Sequence, residues 1–478
     1  MAAYQPSLPL FDEVIIQTKP DNETYHEKLV RLLSEDLDFQ NQNNHDSTHY
    51  IHSFPAKFPP QLPHKFITEL TASGDTVLDP MIGSGTTVLE AFLCGRRGMG
   101  FDIDPLALLI SQVKVASFDI GQISQTGNLI LGRAITSSTE RREQLAEMLK
   151  KRWDRKTKEF VDYWFAYETQ LELMALLAEI EKLTDKSVKA FFELVFSAII
   201  ITKSGGVSLA FDLAHTRPHR AKVVLSKEGE VIIGKELKDS SSPRIEFLTK
   251  TLRSPIEEFA KRFKQNLQSL KFRNILPTEV EHFPVSIDSG NAQSLPLDDA
   301  SIDLIVTSPP YASNAIDYMR AHKFSLVWLG YPIGELGTKR KEYIGGESIT
   351  NMEFEELPTK TREVVTDMSG VDNKRGRVLH RYYSEMTRTL KEMFRVLKPE
   401  RAAIVVVGNS VLKGKDARIQ YCLADIGQNL GFEVPKIGVR NLDRNRRMLP
   451  AGLEVNLDSQ IQQRMHEEYI IGFYKPGN

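Results

Sequence analysis

Residues Thr76–Asp104 read TVLDPMIGSGTTVLEAFLCGRRGMGFDID, and the order of segments within them decides the fold. TVLDP (76–80) predicts a short apolar strand ending in Asp-Pro, and GSGTT (83–87) a glycine turn. VLEAFLCG (88–95) predicts a helix closed by glycine, and GMGFDID (98–104) a second strand. Strand, glycine turn, helix and strand in that order are the repeating unit of a parallel sheet.

The same alternation returns near the C-terminal end. SIDLIVTSPPY (301–311) predicts a strand running into a Pro-Pro turn, and AHKFSLVWLG (321–330) a helix. RYYSEMTRTLKEMFRVLKP (381–399) predicts a helix stopped by Pro399. A buried strand (402–409), a helix (415–430), a strand (432–439) and a last strand, EEYIIGFYK (467–475), follow. The fold class is therefore α/β, a doubly wound, mostly parallel sheet. A large, mainly helical insertion at 118–280 falls between the second and third strands. It holds three helix-period segments and a hairpin, KVVLSKEGEVIIG (222–234). An amphipathic helix over 243–273 ends it, turning near Pro255, with the stripe Ile256, Phe259, Phe263, Leu267 and Leu270. The chain divides into an N-terminal arm (1–46) with a short helix near Tyr25–Leu37, a first core segment (47–117), the insertion (118–280) and a second core segment (281–478). Within the last, the charged stretch 338–378 reads as a loop or small insert.

With 41% apolar and 26% charged residues, a sizeable core can be buried. The longest apolar candidate for a membrane span, Val188–Ile201, is too short and contains Lys189 and Glu193. The opening residues MAAYQPSLPLFDE lack the basic-then-apolar pattern of a secretory signal. Two cysteines, Cys94 and Cys422, argue against a disulfide scaffold and a cysteine-based zinc site, so no metal is expected and the cytoplasm is the expected compartment. A net charge of −2 means that any nucleic-acid surface must be a local basic patch.

A glycine turn between strand and helix lets a ligand approach the backbone, beside the partial positive charge of the helix N-terminus. LDPMIGSGTT supplies Asp79, Pro80, Gly83, Gly85 and Thr86 for that purpose. The turn has no lysine, so it is not a phosphate-binding P-loop and points away from ATP. Asp102, at the end of the next strand, is placed to bind two ribose hydroxyls. The plainer alternative is that Asp102 and Asp104 cap the helix that starts at Pro105.

Together these segments resemble the S-adenosylmethionine-dependent DNA amino-methyltransferases. LDPMIGSGTTVLEA resembles the first motif of that family, and HSFPAKFPPQLPHKFI (52–67) the segment covering the methionine end of the cofactor. The resemblance implies a Rossmann-like methyltransferase core, S-adenosylmethionine as cofactor, and a pocket lined by His52, Phe54, Pro55, Ala56, Lys57 and Phe58. GNAQSLPLDDASIDLIVTSPPY resembles the third and fourth motifs. Asn291 stands where the family usually has an acidic residue, and its amide oxygen can still accept from the adenine amine. The resemblance covers 47–117 and 285–475 and leaves 118–280 unexplained.

TSPPY is the most specific signal in the chain. An exocyclic amine on a base is a poor nucleophile, because its lone pair is delocalised into the ring. Acceptors aimed at the amine hydrogens orient it and favour a tetrahedral nitrogen. The Ser308 hydroxyl and the Pro309 carbonyl can do this, Pro310 stiffens the turn, and Tyr311 offers a stacking face for an extruded base. Methylation at cytosine C5 needs a cysteine nucleophile. Cys94 and Cys422 do not follow a predicted active-site strand, which disfavours that reaction. Within the resembling family Ser-Pro-Pro-Tyr is more typical of cytosine-N4 enzymes and Asp-Pro-Pro-Tyr of adenine-N6 enzymes, so cytosine N4 is the expected target and adenine N6 the alternative. An RNA base amine is the next reading. A catalytically silent nucleic-acid-binding scaffold is a different class, and the intact glycine turn together with TSPPY argues against it.

Two basic clusters are candidates for phosphate contact. HTRPHR (215–220) contains Arg217 and Arg220, and RNLDRNRR (440–447) contains Arg440, Arg444, Arg446 and Arg447. Each reads equally as a solvated surface loop. The expected partner is DNA, with a restriction or phage-defence partner left open, and oligomeric state is not read from the sequence. The insertion is the candidate target-recognition element, with dimerisation or partner docking as the alternatives.

Overall fold

The computed structural model describes residues 23–39, 48–54, 57–202, 204–213, 218–234, 249–273, 282–312, 317–350, 352–408, 410–412, 414–442 and 467–477. Seven strands form the main sheet: β1 (Thr76–Asp79), β2 (Arg97–Asp102), β3 (Ser286–Ser289), β4 (Ile302–Thr307), β5 (Leu397–Gly408), β6 (Glu433–Asn441) and β7 (Glu467–Lys475). Their spatial order is 6-7-5-4-1-2-3. The pairs β1–β2, β1–β4, β2–β3 and β4–β5 are parallel, whereas β7 runs antiparallel to both β5 and β6. The chain winds outward from β1 to β3, then returns to β4 on the other side of β1. That reversal opens a crevice at the carboxyl ends of β1 and β4.

The strand sequences explain this placement. Every residue of Ile302–Thr307 is buried, as for a parallel strand covered on both faces. Alternate side chains serve opposite layers. Val77, Leu304 and Val306 join Leu29, Leu33, Phe66 and Ile67 on one face. Leu78 and Ile305 join Tyr382, Met386, Leu390 and Leu423 on the other. The helix Tyr25–Leu32, begun by a Thr24–Glu27 capping box, thus packs into the first layer instead of standing off as an arm.

The insertion supplies helices at 120–140, 142–152, 155–164, 167–180, 186–200 and 255–273, and small strands at 210–212, 219–220, 223–225, 231–233 and 249–251. Thr249–Thr251 pairs with Val223–Leu225, so the last helix begins at Pro255 and not upstream of it. Residues 243–248 lie outside the described residues. The insertion shares one apolar core with both core segments. Ile51, Phe54, Leu106 and Ile110 pack with Phe191, Phe196 and Phe263, and with Phe324 and Trp328 from beyond the Pro-Pro turn. A buried hydroxyl link runs through it: Ser325 Oγ donates to Ser197 Oγ at 2.7 Å, and His52 Nε2 lies 3.0 Å from the same oxygen.

The stretch 338–378, expected as a charged loop, contains the helix Thr359–Val371 and the start of the helix Asn373–Val396. Its charges lie on solvent faces, while Thr361, Val365 and Met368 are buried, which a count of charges conceals. Likewise 415–430 holds a tight strand pair, 411–412 with 415–416, before the helix Ile419–Asn429. Among the described residues no helix is long and apolar enough to cross a membrane.

Gly85 caps the helix Thr86–Leu93 with φ +73°, and a Cβ there would meet Ser111 Oγ at 2.6 Å and Ser111 Cα at 3.1 Å. Gly85→Ala should lose about 1–2 kcal/mol from the left-handed backbone alone, with the Ser111 overlap adding to it. Denaturant unfolding of the full chain measures this, and an unchanged midpoint would refute the constraint.

Candidate active site

The crevice is a cleft of about 870 Å³, solvent-open space included, at the carboxyl ends of β1, β2 and β4. Asp79, Pro80, Gly83, Thr86 and Asp102 line it from the first core segment. Asn291, Ser308 and Pro310 line it from the second, and Phe54, Lys57 and Phe58 from the segment upstream of β1.

Asp102 holds the glycine turn in shape. One carboxylate oxygen accepts from the Gly83 N–H at 2.9 Å and the other from the Asp104 N–H at 2.9 Å. Burial, and then the neighbouring charge of Asp104, push its carboxyl up to about 7. Asp104 is the N-cap of the helix Pro105–Val115, accepting from the Leu106 N–H, and it also pairs with His322 Nδ1. Despite burial, the contacts with His322 and Leu106 hold its carboxyl below the usual range. The capping alternative therefore describes Asp104 and not Asp102, though both carboxylates border the cleft.

Asp79 joins the two core segments: its Oδ1 accepts from Thr307 Oγ1 at 2.7 Å, one residue before Ser308. Burial pushes its carboxyl up to about 6. Gly83, with φ +48°, sits under the Phe54 ring, which a Cβ at that position would touch at 3.4 Å. Phe54 stacks on Tyr318, their centroids 5.1 Å apart. Lys57 Nζ donates to the His49 carbonyl at 2.8 Å, and burial lowers its pKa to about 8. The Asn291 amide oxygen accepts from the Gln293 N–H at 3.0 Å, which fixes the side chain at the rim.

Four expected residues stand back from the lining. His52 is buried between Ser197 Oγ and the Ser53 carbonyl, Gly85 lies behind the turn, and Pro309 is buried. Tyr311 is anchored by its hydroxyl, which donates to Glu468 Oε1 at 3.1 Å. Pro55 and Ala56 lie outside the described residues. Of the basic residues, Arg220 donates to the Tyr163 carbonyl and lies over the Tyr163 ring, and Arg440 pairs with Glu468. Both are engaged within the protein. Arg217, Arg444, Arg446 and Arg447 lie outside the described residues.

Several lining residues were not singled out from the sequence. Tyr318 comes from the helix after the Pro-Pro turn, and Glu342, Tyr343 and Ile344 from the stretch read as a charged loop. That loop is held by the helix Asn373–Val396. Arg381, 2% exposed, donates to the carbonyls of Lys341, Tyr343 and Ser348 and pairs with Glu385. Glu385 accepts in turn from the Gly345 N–H at 2.8 Å. Glu468 is the other addition, bridging Tyr311 and Arg440 from β7. Its only signal in sequence was an acidic residue at the start of an otherwise apolar strand.

Arg381→Met leaves the Glu385 carboxylate buried and unpaired, which should cost about 3–5 kcal/mol. Adding Glu385→Leu should recover part of that loss, since the loop carbonyls still lack their donor. Denaturant unfolding of both variants decides it, and a single variant as stable as wild type would remove Arg381 from this role.

The residue pattern and the cleft agree with the comparisons. Residues 11–112 match the family model described as DNA methylase of the N6/N4 type. The chain is 26% identical over 400 residues to the Type II methyltransferase M.MvaI of Kocuria varians, covering 79% of this chain and 80% of that protein. It is 24% identical over 456 residues to M.BsoBI of Geobacillus stearothermophilus, covering 87% and 83%. A shorter match, 36% over 104 residues, joins it to M.MjaII of Methanocaldococcus jannaschii, covering 21% of this chain and 20% of that protein. Across these matches the chain is similar to the S-adenosylmethionine-dependent DNA amino-methyltransferases of the N4/N6 type.

Proposed function

We propose that this protein is a site-specific Type II enzyme that methylates the exocyclic N4 amine of a flipped cytosine in DNA. The observation that carries the reading is one shared cleft. Ser308, at the end of β4, faces the same space as Asp102 and Gly83, at the ends of β2 and β1. The residues present fit the cofactor: a glycine turn whose Cβ positions are filled by Phe54 and Ser111, and a half-buried carboxylate, Asp102, facing the cleft. Bound S-adenosylmethionine supplies an electrophilic sulfonium methyl group. Asp102 accepts from the ribose hydroxyls, and Asn291 contributes at the adenine rim. Phe54, Lys57 and Phe58 cover the methionine end. Ser308 Oγ and the Pro309 carbonyl accept the two amine hydrogens, which turns the nitrogen lone pair out of the ring plane. Tyr311 stacks on the base, and Glu468 fixes that ring by holding its hydroxyl. The serine in TSPPY favours cytosine over adenine. The insertion is the target-recognition element, and the arginine loop 440–447 holds phosphates through Arg444, Arg446 and Arg447.

Asp102 gives the binding step a pH dependence. Its raised pKa means that the free site is largely protonated below about 7, and ionisation opposes folding as pH rises from the usual carboxylate range to that value. Ribose hydroxyls favour the ionised form, so binding should release a proton and S-adenosylmethionine affinity should fall as pH drops through about 7. Calorimetry in buffers of different ionisation enthalpy measures both quantities. Asp102→Asn should bind more weakly and lose this dependence; a variant that keeps the wild-type pH profile would remove Asp102 from the site.

The catalytic residues should fail differently from the cofactor residues. Tyr311→Ala removes a stacking contact of about 1–3 kcal/mol, and Ser308→Ala removes an acceptor at a rate cost of about 2–4 kcal/mol. Both should leave S-adenosylmethionine affinity largely intact. Glu468→Gln keeps an acceptor for Tyr311 and loses the Arg440 ion pair, so it should retain more activity than Glu468→Ala, the loss in the latter falling on kcat. Tritiated methyl transfer to DNA, followed by nucleoside analysis, is the assay. N4-methylcytosine supports the proposal, N6-methyladenine moves the target to adenine, and label found only in RNA overturns the substrate. Wild-type turnover by Tyr311→Ala would overturn the site.

A further inference from the structure

Away from the cleft, the helices Gln61–Leu70 and Thr86–Leu93 pack together and bring three metal-ligating side chains to one point. Glu90 and Cys94 are four residues apart, hence on one face, and His64 comes from the facing helix. His64 Nδ1 stands 2.9 Å from Glu90 Oε2 and 3.4 Å from Cys94 Sγ. The three donor atoms lie within 4.8 Å of one another. The second Glu90 oxygen is 2.7 Å from His49 Nε2. Glu90 and His49 are buried, while the His64 side chain is 53% exposed and Cys94 partly so.

One ring nitrogen holds at most one proton, yet Nδ1 faces a carboxylate and a sulfur together. A proton on Nδ1 that serves Glu90 must be shared with the sulfur. A thiol proton given to Nδ1 instead leaves a carboxylate oxygen against a nitrogen lone pair. A divalent cation at the centre satisfies all three donors. Zinc binds imidazole nitrogen, carboxylate oxygen and thiolate sulfur at about 2.0–2.3 Å, so tetrahedral ligand pairs stand roughly 3.2–3.6 Å apart. The two contacts to Nδ1 are close to that spacing. His49, on the far carboxylate oxygen, is the kind of outer partner that orients a ligating carboxylate.

We infer that His64, Glu90 and Cys94 form a zinc site, its fourth position open to water on the exposed side. Two cysteines are too few for an all-cysteine site, but a mixed donor set needs one. The ion pins together the two helices whose upstream residues border the cleft: Phe54, Lys57 and Phe58 precede one, and the glycine turn precedes the other. His49 belongs to the same brace, because its carbonyl accepts from Lys57 in the cleft wall.

Cobalt(II) is the probe, added to the chelator-treated full chain. One equivalent should bind, with the strong visible bands of a tetrahedral site and a near-ultraviolet thiolate-to-metal band, and zinc should displace it. Affinity should rise with pH as the ligands lose protons. Cys94→Ser should abolish the thiolate band, and His64→Ala should weaken binding at least tenfold. His49→Gln should weaken it by about 10–100-fold. Cys422 is buried in the opposite layer, so Cys422→Ser should leave the spectrum unchanged. Absence of saturable cobalt or zinc binding by the wild-type chain overturns the site. So does a spectrum that survives Cys94→Ser. Neither outcome depends on S-adenosylmethionine binding.

Discussion

The hydrogen bond from Thr307 to Asp79 is the junction on which the site depends. It lies at the carboxyl ends of the two central strands, between chain segments more than two hundred residues apart, and it is buried. Parallel pairing of Val77 with Leu304 and Leu78 with Ile305 sets the register, and the Thr307–Asp79 bond closes it at the edge where both strands turn. Pro80 and Ser308, the next residues of each strand, therefore enter the same cleft. A second buried bond, from Thr87 Oγ1 to the Val306 carbonyl at 3.0 Å, ties the helix after the glycine turn to β4. The turn that shapes one end of the cleft and the strand that carries the other cannot move independently. Methyl transfer requires two reactants held in line, and this junction provides the fixed distance.

Around that junction the remaining walls are held by longer reach. The insertion is not an appendage, because its aromatic core is continuous with Phe54 on one side and with Phe324 and Trp328 on the other. Trp153 Nε1 donates to the Val327 carbonyl and Arg152 to the Trp328 carbonyl, so the helices of the insertion seat the segment after the Pro-Pro turn. On the opposite side Arg381 and Glu385 hold the loop that carries Tyr343 and Ile344. An insertion packed in this way is mechanically continuous with both ends of the cleft.

The parts legible in the sequence were those set by local rules. The glycine turn, the strand of unbroken apolar residues and the Pro-Pro turn carry their conformation in their own residues, and they place Gly83, Asp102 and Ser308 at the cleft. The parts that escaped depend on distant partners. Arg381 looks like another charge on an amphipathic helix until the carbonyls of 341, 343 and 348 are seen to need a donor. Tyr343 was hidden in a stretch whose charge count suggested a loop, although its apolar positions at Thr361, Val365 and Met368 keep helical spacing. Glu468 had no signal beyond an acidic residue at the start of an apolar strand, because its partners Tyr311 and Arg440 come from two other segments. Arg440 was misleading for the same reason: a basic residue in a basic run is already engaged when an antiparallel neighbour supplies the carboxylate.

Asp102 and Asp104 show how the fold distributes an electrostatic demand. They are two residues apart, Asp104 buried and Asp102 half-buried at the cleft, and their carboxyls are pushed in opposite directions. Asp104 has His322 and the start of a helix to stabilise its charge, so it is satisfied by the protein alone. Asp102 has two backbone N–H groups and a negative neighbour, which does not offset its burial. Its charge is thus favoured only when further donors arrive from the cleft. Two ribose hydroxyls are donors of that kind, while a phosphate in the same position would add a third negative charge. On the proposed role of Asp102, the pair therefore favours a neutral, hydroxyl-bearing group over an anionic one. The missing P-loop lysine points the same way, now through the charge that the folded site presents and not through a motif it lacks.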